Sequence, residues 1–257
     1  MELASAIENA VRRMSEGRRV AVAFSGGLDS GLVACLAKRY AESVTLYTCG
    51  SEGSFDVLAA EELSSAIGLP WVHVRISTDN VADMIARFHR ATGETDPFTI
   101  SYELQLFSVC CQEGVVLTGQ GADEYFMGCA KYVECADCDY MAYVKDGVNR
   151  LREVSVPCEL AIARHFGKEL LYPYMDPEVL EVVGKIDPWD MRPKDMDSRK
   201  SVLKEAAVEL GFPMLAHRTK KSSQYGSGTT DIIRALAKRE GMMYNRYIAH
   251  ICSGGHD

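Results

Sequence analysis

The chain has 257 residues, of which 47% are hydrophobic and 25% are charged, and this balance is that of an ordinary globular protein of one large or two small domains. Its 28 Lys and Arg against 36 Asp and Glu give a net charge of −8, which argues against broad binding of nucleic-acid phosphates. No apolar run reaches the roughly 18 residues of a membrane span. Glu2 and Glu8 stand where a secretory signal has basic and apolar residues. We therefore expect a cytoplasmic protein without a membrane partner.

Strands and helices alternate over the first half of the chain. Short apolar, β-branched runs predict strands at 19–24, 43–48, 71–76 and 114–118. Helical periodicity predicts helices at 2–15, 29–40, 56–67, 79–91 and 99–112. Such alternation predicts βαβ units with right-handed crossovers, and hence an α/β fold with a doubly wound parallel sheet.

Beyond residue 128 the pattern predicts helices alone, at 139–152, 157–167, 177–185, 198–210 and 229–240. We expect an α/β part over residues 1–128 and a C-terminal all-helical part over residues 129–257. No low-complexity linker separates the two, so they are expected to form one continuous domain.

A glycine-rich turn, Ser25–Ser30 (SGGLDS), follows the first predicted strand. Two glycines let the backbone curl around an anion, and the next helix directs free N–H groups and its positive dipole end to the same point. Asp29 would repel a bare phosphate, so Mg²⁺ is expected between the carboxylate and the phosphate. A tight turn capped by Asp29 is the simpler alternative. It does not explain two Ser, two Gly and one Asp within six residues.

A second glycine-rich loop, Thr118–Glu124 (TGQGADE), follows the fourth predicted strand. In a doubly wound sheet the first and fourth strands are neighbours across the switch point, where ligands bind beyond the carboxyl ends of the strands. We therefore expect Asp29 and Asp123 to approach the same metal ion from two loops.

At these residues the sequence resembles a known family. The turn Ser25–Ser30 resembles the SGGxDS pyrophosphate loop of the N-type ATP pyrophosphatases, whose fold is adenine nucleotide alpha-hydrolase-like. Segment Leu117–Gly128 (LTGQGADEYFMG) resembles the second signature of the synthetase domain of asparagine synthetases. Three later segments resemble, in order, that family's PFLD segment, the helix before its late Lys motif, and the Lys motif itself: Tyr172–Asp176, Lys200–Pro213 and Arg218–Gly226.

The resemblance implies an ATP-dependent ligase in which residues 1–128 form the nucleotide-binding part and the helical part over residues 129–257 completes the active site. Family members let a carboxylate oxygen attack the α-phosphate of ATP, release pyrophosphate, and let ammonia or an amine attack the acyl-adenylate. The implied cofactors are ATP and Mg²⁺, and the implied substrates are a carboxylate (aspartate or another acid) and ammonia or an amine. The implied ATP-binding residues are Phe24, Ser25, Gly26, Gly27, Leu28, Asp29, Ser30, Cys49, Thr118 and Gly119. The implied metal ligands are Asp29 and Asp123, and the implied catalytic residues are Lys220, Gln120 and Glu124, of which Lys220 would neutralise charge on the phosphates.

Two departures from the family pattern affect the substrates. Asparagine synthetases begin with a glutaminase half that starts with Cys, whereas here Glu2 follows Met1, so ammonia, an amine or a separate glutaminase subunit is expected to supply nitrogen. Gln120 stands where asparagine synthetases have Glu in GEGADE, and an amide cannot act as a base. Cyclisation of the β-lactam-synthetase type, or amidation of another carboxylate, therefore stays open beside aspartate.

Two alternatives concern the same chain. Cys129, Cys135 and Cys138 follow the second loop, with Cys158 further on, and tRNA thiolases of the superfamily bind a metal or cluster through such residues. Plain burial of these thiols is favoured over a metal site. The other alternative is a non-catalytic ATP-binding subunit. A homodimer is also open.

Overall fold

A computed structural model describes residues 2–112, 115–218 and 223–254. Its centre is one parallel sheet in the strand order β3-β2-β1-β4-β5. The predicted doubly wound parallel sheet is thereby confirmed. The strands are β1 (Arg19–Ala23), β2 (Ser43–Gly50), β3 (Trp71–Arg75), β4 (Val115–Leu117) and β5 (Glu169–Leu171).

Helices cover both faces of the sheet and form most of the second half of the described chain. They are α1 (Glu2–Ser15), α2 (Leu28–Tyr40), α3 (Phe55–Ile67), α4 (Val81–Thr92), α5 (Pro97–Cys110), α6 (Ala122–Tyr125), α7 (Lys131–Glu134), α8 (Asp137–Arg150), α9 (Val156–His165), α10 (Pro177–Val183), α11 (Ser201–Glu209), α12 (Pro213–Ala216), α13 (Ser223–Gly226), α14 (Thr229–Arg239) and α15 (Tyr244–Cys252). A π-helical segment, Leu151–Ser155, joins α8 to α9. None of the described helices combines the length and apolarity needed to cross a membrane.

Each face of the sheet has its own hydrophobic core. Val20 and Val22 of β1 point into one core, with α1, α2 and α11. Ala21, between them, points into the other, with α4, α5 and α15. Strand β1 has a paired strand on each side and a hydrophobic core on each face. For this reason it is a continuous apolar run and not an alternating one.

The order in which strands are added to the sheet reverses between β1 and β4. From β1 it builds outward through β2 to β3, and it then crosses back to place β4 and β5 on the other side. The crevice beyond the carboxyl ends of β1 and β4 is therefore the switch point, where open α/β sheets bind ligands. Both glycine-rich loops start there, as expected from the sequence.

Strand β5 was not predicted from the sequence. It has only three residues, Glu169–Leu171, and it pairs in parallel with β4 through Val115, Val116 and Leu117. So short a run carries no periodicity by which a strand can be recognised. It attaches the helical second half directly to the sheet beside the switch point.

Candidate active site

The first loop is a tight connection from β1 to α2. The Ser25 N–H donates to Ser30 Oγ at 3.1 Å, and the two hydroxyl oxygens lie 3.3 Å apart. Helix α2 begins at Leu28, with extended backbone at Gly27. Its first turn thus presents backbone N–H groups beside two hydroxyls and the buried carboxylate of Asp29. The N–H groups and hydroxyls favour binding of an anion, and the carboxylate favours a cation bound beside that anion.

Gly26 fits this loop because no side chain could be placed there. Its φ is +71°, and a Cβ atom would lie 2.4 Å from backbone atoms of Ala59 and Ala60 in α3. The Gly26 carbonyl accepts a 2.6 Å hydrogen bond from Nε of Arg218, whose Nη2 donates to the carbonyl of Ala59 at 3.0 Å. Arg218 therefore ties the loop to α3 and to the segment that carries the predicted Lys motif.

The second loop lies directly against the first. A Cβ atom on Gly119 would lie 3.0 Å from Cβ of Asp29 and 3.1 Å from the Ser30 nitrogen, so a glycine here allows the two loops to touch. The loop then starts the short helix α6, in which Asp123 stands in the first turn. The expected approach of Asp29 and Asp123 is observed, because one side chain contacts both of them.

That side chain is Lys200, which lies just before α11. Its ammonium nitrogen is 2.7 Å from Oδ1 and 2.6 Å from Oδ2 of Asp29, and 2.7 Å from Oδ1 of Asp123. Lys200 and Asp29 are both buried. The carboxylates are thus held together by a protein cation, and the three oxygens around it form the kind of seat that a divalent cation prefers.

The PFLD-like segment, Tyr172–Asp176, contacts the backbone of Asp29. The hydroxyl of Tyr174 donates to the backbone carbonyl of Asp29 at 2.8 Å, in a fully buried position. Asp176 is turned away, because it accepts from the backbone N–H of Glu178 at the start of α10 and pairs with Arg13 at 2.7 Å. The segment therefore positions Asp29 through Tyr174, and Asp176 has a structural role.

A cavity lies over the ends of β1, β2 and β4, and we call it the strand-end cavity. Of the predicted site residues, those that line it are Phe24, Ser25, Asp29, Ser30, Cys49, Thr118, Gly119, Gln120 and Asp123. Gly26 and Gly27 belong to the first loop but are not among the residues that line this cavity, and Leu28 lines a neighbouring cleft. The two glycine-rich loops and the end of β2 thus converge as the sequence suggested.

The neighbouring cleft, which we call the basic cleft, shares Asp29, Tyr102 and Asp123 with the strand-end cavity. Its other walls carry a set of basic side chains: Arg199, Lys200, Lys204, His217 and Arg218. A ligand that extends from the cavity into the cleft passes the Asp29–Lys200–Asp123 cluster at the boundary. This layout suits a molecule with a neutral end and a polyanionic end.

Gln120 is paired with a carboxyl group that the sequence did not single out. Its Nε2 donates to Oε1 of Glu159 at 2.6 Å. Glu159 and Glu103 are both buried in the wall of the strand-end cavity. Oε2 of Glu159 and Oε1 of Glu103 are both buried, and the two carboxyl groups interact with each other. Burial raises the pKa of Glu159 to about 7, although hydrogen bonds including that from Gln120 oppose the shift. Burial and the neighbouring Glu159 also raise the pKa of Glu103 well above its usual range.

Lys200, Glu103 and Glu159 were not identified as site residues from the sequence, and the reasons differ. Glu103 and Glu159 were detectable, since each is a single acid among the apolar residues of a buried helix face, in α5 and α9. Such an acid is costly unless it has a function or a partner. Lys200 is one of eight Lys and Arg in the basic stretch 192–221, and nothing in the pattern distinguishes it from its neighbours.

Of the other two predicted catalytic residues, Glu124 is placed differently from Gln120, and Lys220 is not described. Glu124 is not among the residues that line the strand-end cavity or the basic cleft, and its Cγ atom is 3.8 Å from the position of a Cβ on Gly147 in α8. Its side chain thus faces α8. Lys220 lies outside the described residues, and the nearest described neighbour in sequence before it is Arg218.

The cysteines that follow the second loop do not form a metal centre among the described residues. No group of three or more His, Cys, Asp or Glu side chains in that part of the chain could hold a metal ion. Burial raises the pKa of Cys129 to about 12, which disfavours the thiolate that binds metals. Cys138 is exposed, and Cys135 directs its sulfur to the carbonyl of Tyr132 at 3.8 Å. The thiolase-like alternative is therefore not favoured.

Comparison with known proteins finds similarity to asparagine synthetases. A family model described as asparagine synthase matches residues 2–146. A putative glutamine-hydrolyzing asparagine synthetase of Methanocaldococcus jannaschii is 28% identical over 94% of this chain and 52% of its own length. Asparagine synthetase B of Escherichia coli is 24% identical (93% of this chain, 47% of that protein), and a carboxyethyl-arginine β-lactam synthase of Streptomyces clavuligerus is 27% identical (94% and 47%). The chain spans about half the length of these relatives.

Proposed function

The chain belongs to the asparagine synthase family, a family of ATP-dependent ligases, and we propose that it adenylates a carboxylate with ATP, releases pyrophosphate and converts the adenylate to an amide. The observation that carries the proposal is the meeting of two glycine-rich loops at Asp29, Asp123 and Lys200, on the boundary between a cavity and a basic cleft. The nucleoside would occupy the strand-end cavity, and the phosphates would extend into the basic cleft.

The first half-reaction needs stabilisation of negative charge. As the carboxylate oxygen bonds to the α-phosphorus and the bond to the bridging oxygen breaks, charge moves onto the departing pyrophosphate. The backbone N–H groups at the start of α2, the hydroxyls of Ser25 and Ser30, and the cations of the basic cleft would stabilise that charge. Lys220 remains a proposed member of this group on the strength of its motif.

Mg²⁺ fits the carboxylate pair by its chemistry. Magnesium is bound in proteins by one or two carboxylates together with phosphate oxygens, and a cation already lies among the same carboxylate oxygens in this structure. Asp29 and Asp123 would hold the ion, which when bound would neutralise charge on the phosphate oxygens. Two carboxylates alone give few ligands, so the ion would be held tightly only with the nucleotide present.

The second half-reaction needs a proton acceptor, and Glu159 is the group best placed for it. Gln120 occupies the position where asparagine synthetases have Glu, and it cannot accept a proton, but it orients the carboxyl group of Glu159. With a pKa raised to about 7 by burial, Glu159 has the proton affinity that suits a base at neutral pH. It would accept a proton from the attacking ammonia or amine as the C–N bond forms and AMP leaves.

For the carboxylate substrate and the nitrogen source, we propose a set of candidates and not one compound. Aspartate is one candidate acid, because two of the relatives above are asparagine synthetases by name. The relative named as a β-lactam synthase keeps ring closure or amidation of another acid open. Ammonia, an amine or a separate glutaminase subunit would supply the nitrogen.

The proposal is tested by pyrophosphate release from Mg·ATP in the presence of aspartate and a panel of other carboxylates, each with and without ammonium. Release that requires one of the acids supports the proposal and names the acid. Binding of ATP without release for any acid, with the partner and nitrogen source varied, would favour a non-catalytic subunit instead. Asp29→Asn provides the inactive control, because it removes a carboxylate from the phosphate site.

A further inference from the structure

We infer that the seat between Asp29 and Asp123 is shared by two alternative cations, Lys200 and a divalent metal ion, and that only the phosphates of a bound nucleotide move Lys200 out and admit the metal. This inference concerns the order in which ligands bind, and it rests on the proposed function only in taking the ligand to be a nucleoside triphosphate. Metal and polyphosphate would then bind cooperatively, and the protein without nucleotide would reject Mg²⁺.

The distances leave room for one cation at a time. The Lys200 ammonium contacts three carboxylate oxygens of Asp29 and Asp123 at 2.6–2.7 Å. Magnesium bound to these oxygens at its usual distance of about 2.0–2.1 Å would take nearly the position that the ammonium nitrogen holds. Two positive charges so close, in a buried site, would repel each other strongly. The metal can use this seat only after Lys200 has left it.

The seat for the lysine is built into the fold. A Cβ atom on Gly128 would lie 2.0 Å from Cε of Lys200 and 2.2 Å from Oδ1 of Asp123, so the lysine passes through space that only glycine leaves open. Lys200 itself has a φ of +58°, a left-handed conformation that is strained for a residue with a side chain. The backbone of Asp29 is fixed by the hydroxyl of Tyr174. These features hold an ammonium group between the carboxylates without any ligand.

The displaced ammonium has a destination. Lys200 also lines the basic cleft, beside Arg199, Lys204 and Arg218. Phosphates bound there would attract Lys200 away from the carboxylates, and the position that the ammonium had held between them would then be open to the metal. The exchange replaces the single positive charge of Lys200 by the two positive charges of the metal. Because the displaced ammonium needs new negative partners, the exchange is favourable only when the phosphates are present. By linkage, the metal must strengthen phosphate binding by the same factor.

The inference is tested by titrating the protein with Mn²⁺, a cation that takes the same oxygen ligands as Mg²⁺, and by following free Mn²⁺ by electron paramagnetic resonance in the absence of nucleotide. Lys200→Met removes the competing charge and keeps the length of the side chain. It is expected to bind Mn²⁺ at least about 100-fold more tightly than the wild type, since the metal no longer meets the repulsion of a positive charge that contacts the same carboxylate oxygens.

Matched variants separate the seat from general charge effects. Lys204→Met removes the same charge one turn further along α11, where the ammonium contacts the carbonyl of Asp197, and should keep the weak Mn²⁺ affinity of the wild type. Lys200→Arg keeps the charge and should also bind weakly. If Lys200→Met does not fold, Lys200→Gln takes its place. Equal Mn²⁺ affinities of the wild type and the neutral variant, both tight or both weak, would overturn the inference.

The result is independent of turnover. If no carboxylate supports pyrophosphate release but the neutral variant gains Mn²⁺ affinity, the proposed reaction fails and the shared seat stands. If pyrophosphate is released and the affinities are equal, the reaction stands and the shared seat fails.

Discussion

The side-chain amide of Gln120 donates a 2.6 Å hydrogen bond to Oε1 of Glu159, so the residue that departs from the family signature leads directly to a buried acid. Gln120 belongs to the loop after β4, and Glu159 belongs to α9, which the π-helical segment and β5 bring to the same cavity wall. In the proposed reaction, an acid from another helix, Glu159, would take the role of the acid that the signature has at the position of Gln120.

This pairing predicts a selective defect in Glu159→Gln. Amide formation with ammonium should fall by about 10²–10⁴-fold, the usual contribution of a general base, while pyrophosphate release persists. Hydroxylamine, which is already unprotonated at neutral pH, should still trap the adenylate as a hydroxamate. The measurement compares amide, hydroxamate and pyrophosphate in one assay.

Glu153→Gln is the matched control for that variant. Glu153 is exposed and lies in the π-helical segment before α9, so all three products should be unchanged. Equal loss of pyrophosphate and amide in Glu159→Gln would show that Glu159 acts in adenylation or structure and not as the base.

The raised pKa values of Glu103 and Glu159 predict that stability depends on pH. Between the usual carboxyl pKa of 4.5 and about 7, the folded protein retains a proton on Glu159 that the unfolded chain has lost, and the raised pKa of Glu103 acts in the same direction. The free energy of unfolding must therefore fall as the pH rises through this range. Glu103→Gln removes one of the two interacting carboxyl groups, and it should reduce the fall in the free energy of unfolding between pH 5 and pH 8.

Denaturant unfolding at pH 5 and pH 8 checks this prediction. Glu205→Gln on the exposed side of α11 should follow the wild type at both values. A Glu103→Gln variant that is equally destabilised at both pH values would mean that the Glu103 carboxylate is ionised and paired in the fold.

Gly26 and Gly53 form a pair that separates backbone strain from steric clash. Both have positive φ, +71° and +72°, but a Cβ on Gly26 would meet the α3 backbone at 2.4 Å, whereas nothing lies within 4 Å of a Cβ on Gly53. Gly53→Ala should therefore cost only about 1 kcal/mol for the left-handed conformation. Gly26→Ala should cost about 3 kcal/mol or more because α3 must move, and it should weaken ATP binding as well. Equal midpoints of thermal unfolding for the two variants would be inconsistent with the close approach of loop and helix.

The buried hydrogen bond from Tyr174 to Asp29 predicts a modest effect on stability with a clear effect on the site. Tyr174→Phe should lower the free energy of unfolding by about 1–2 kcal/mol, because the carbonyl of Asp29 loses a buried donor. Since the carboxylate position also depends on this contact, the affinity for Mg·ATP should fall. Tyr140→Phe, which loses the hydrogen bond to the carbonyl of Pro188 at 2.7 Å, should lower stability similarly and leave nucleotide affinity unchanged.

The sequence was sufficient for the first four strands of the sheet and for the two loops, because these depend on local signals. A buried parallel strand is apolar throughout, as Val20–Val22 is, and the tight first loop has glycine at position 26, where φ is positive. The pairing of the first and fourth strands then follows from the doubly wound topology. Asp29 and Asp123 could be brought together from topology alone.

The sequence was insufficient where a residue acts through a distant partner. Lys200 meets Asp29 across 171 positions, and Glu159 meets Gln120 across 39. No local pattern distinguishes such a lysine from a surface lysine. Glu103 and Glu159 could have been identified from the sequence, because each is an acid within an apolar helix face. An acid at such a position is expected to be buried, and a buried acid is costly unless it has a partner or a function.

The central claim, that a carboxylate is activated by adenylation, is tested most directly by labelling the carboxylate of the accepted acid with ¹⁸O and analysing the AMP produced with ammonium. If the carboxylate oxygen attacks the α-phosphorus, amide formation leaves one ¹⁸O on each AMP, and Asp29→Asn yields neither product. Amide formation with unlabelled AMP, or with ADP and labelled phosphate as products, would contradict the account.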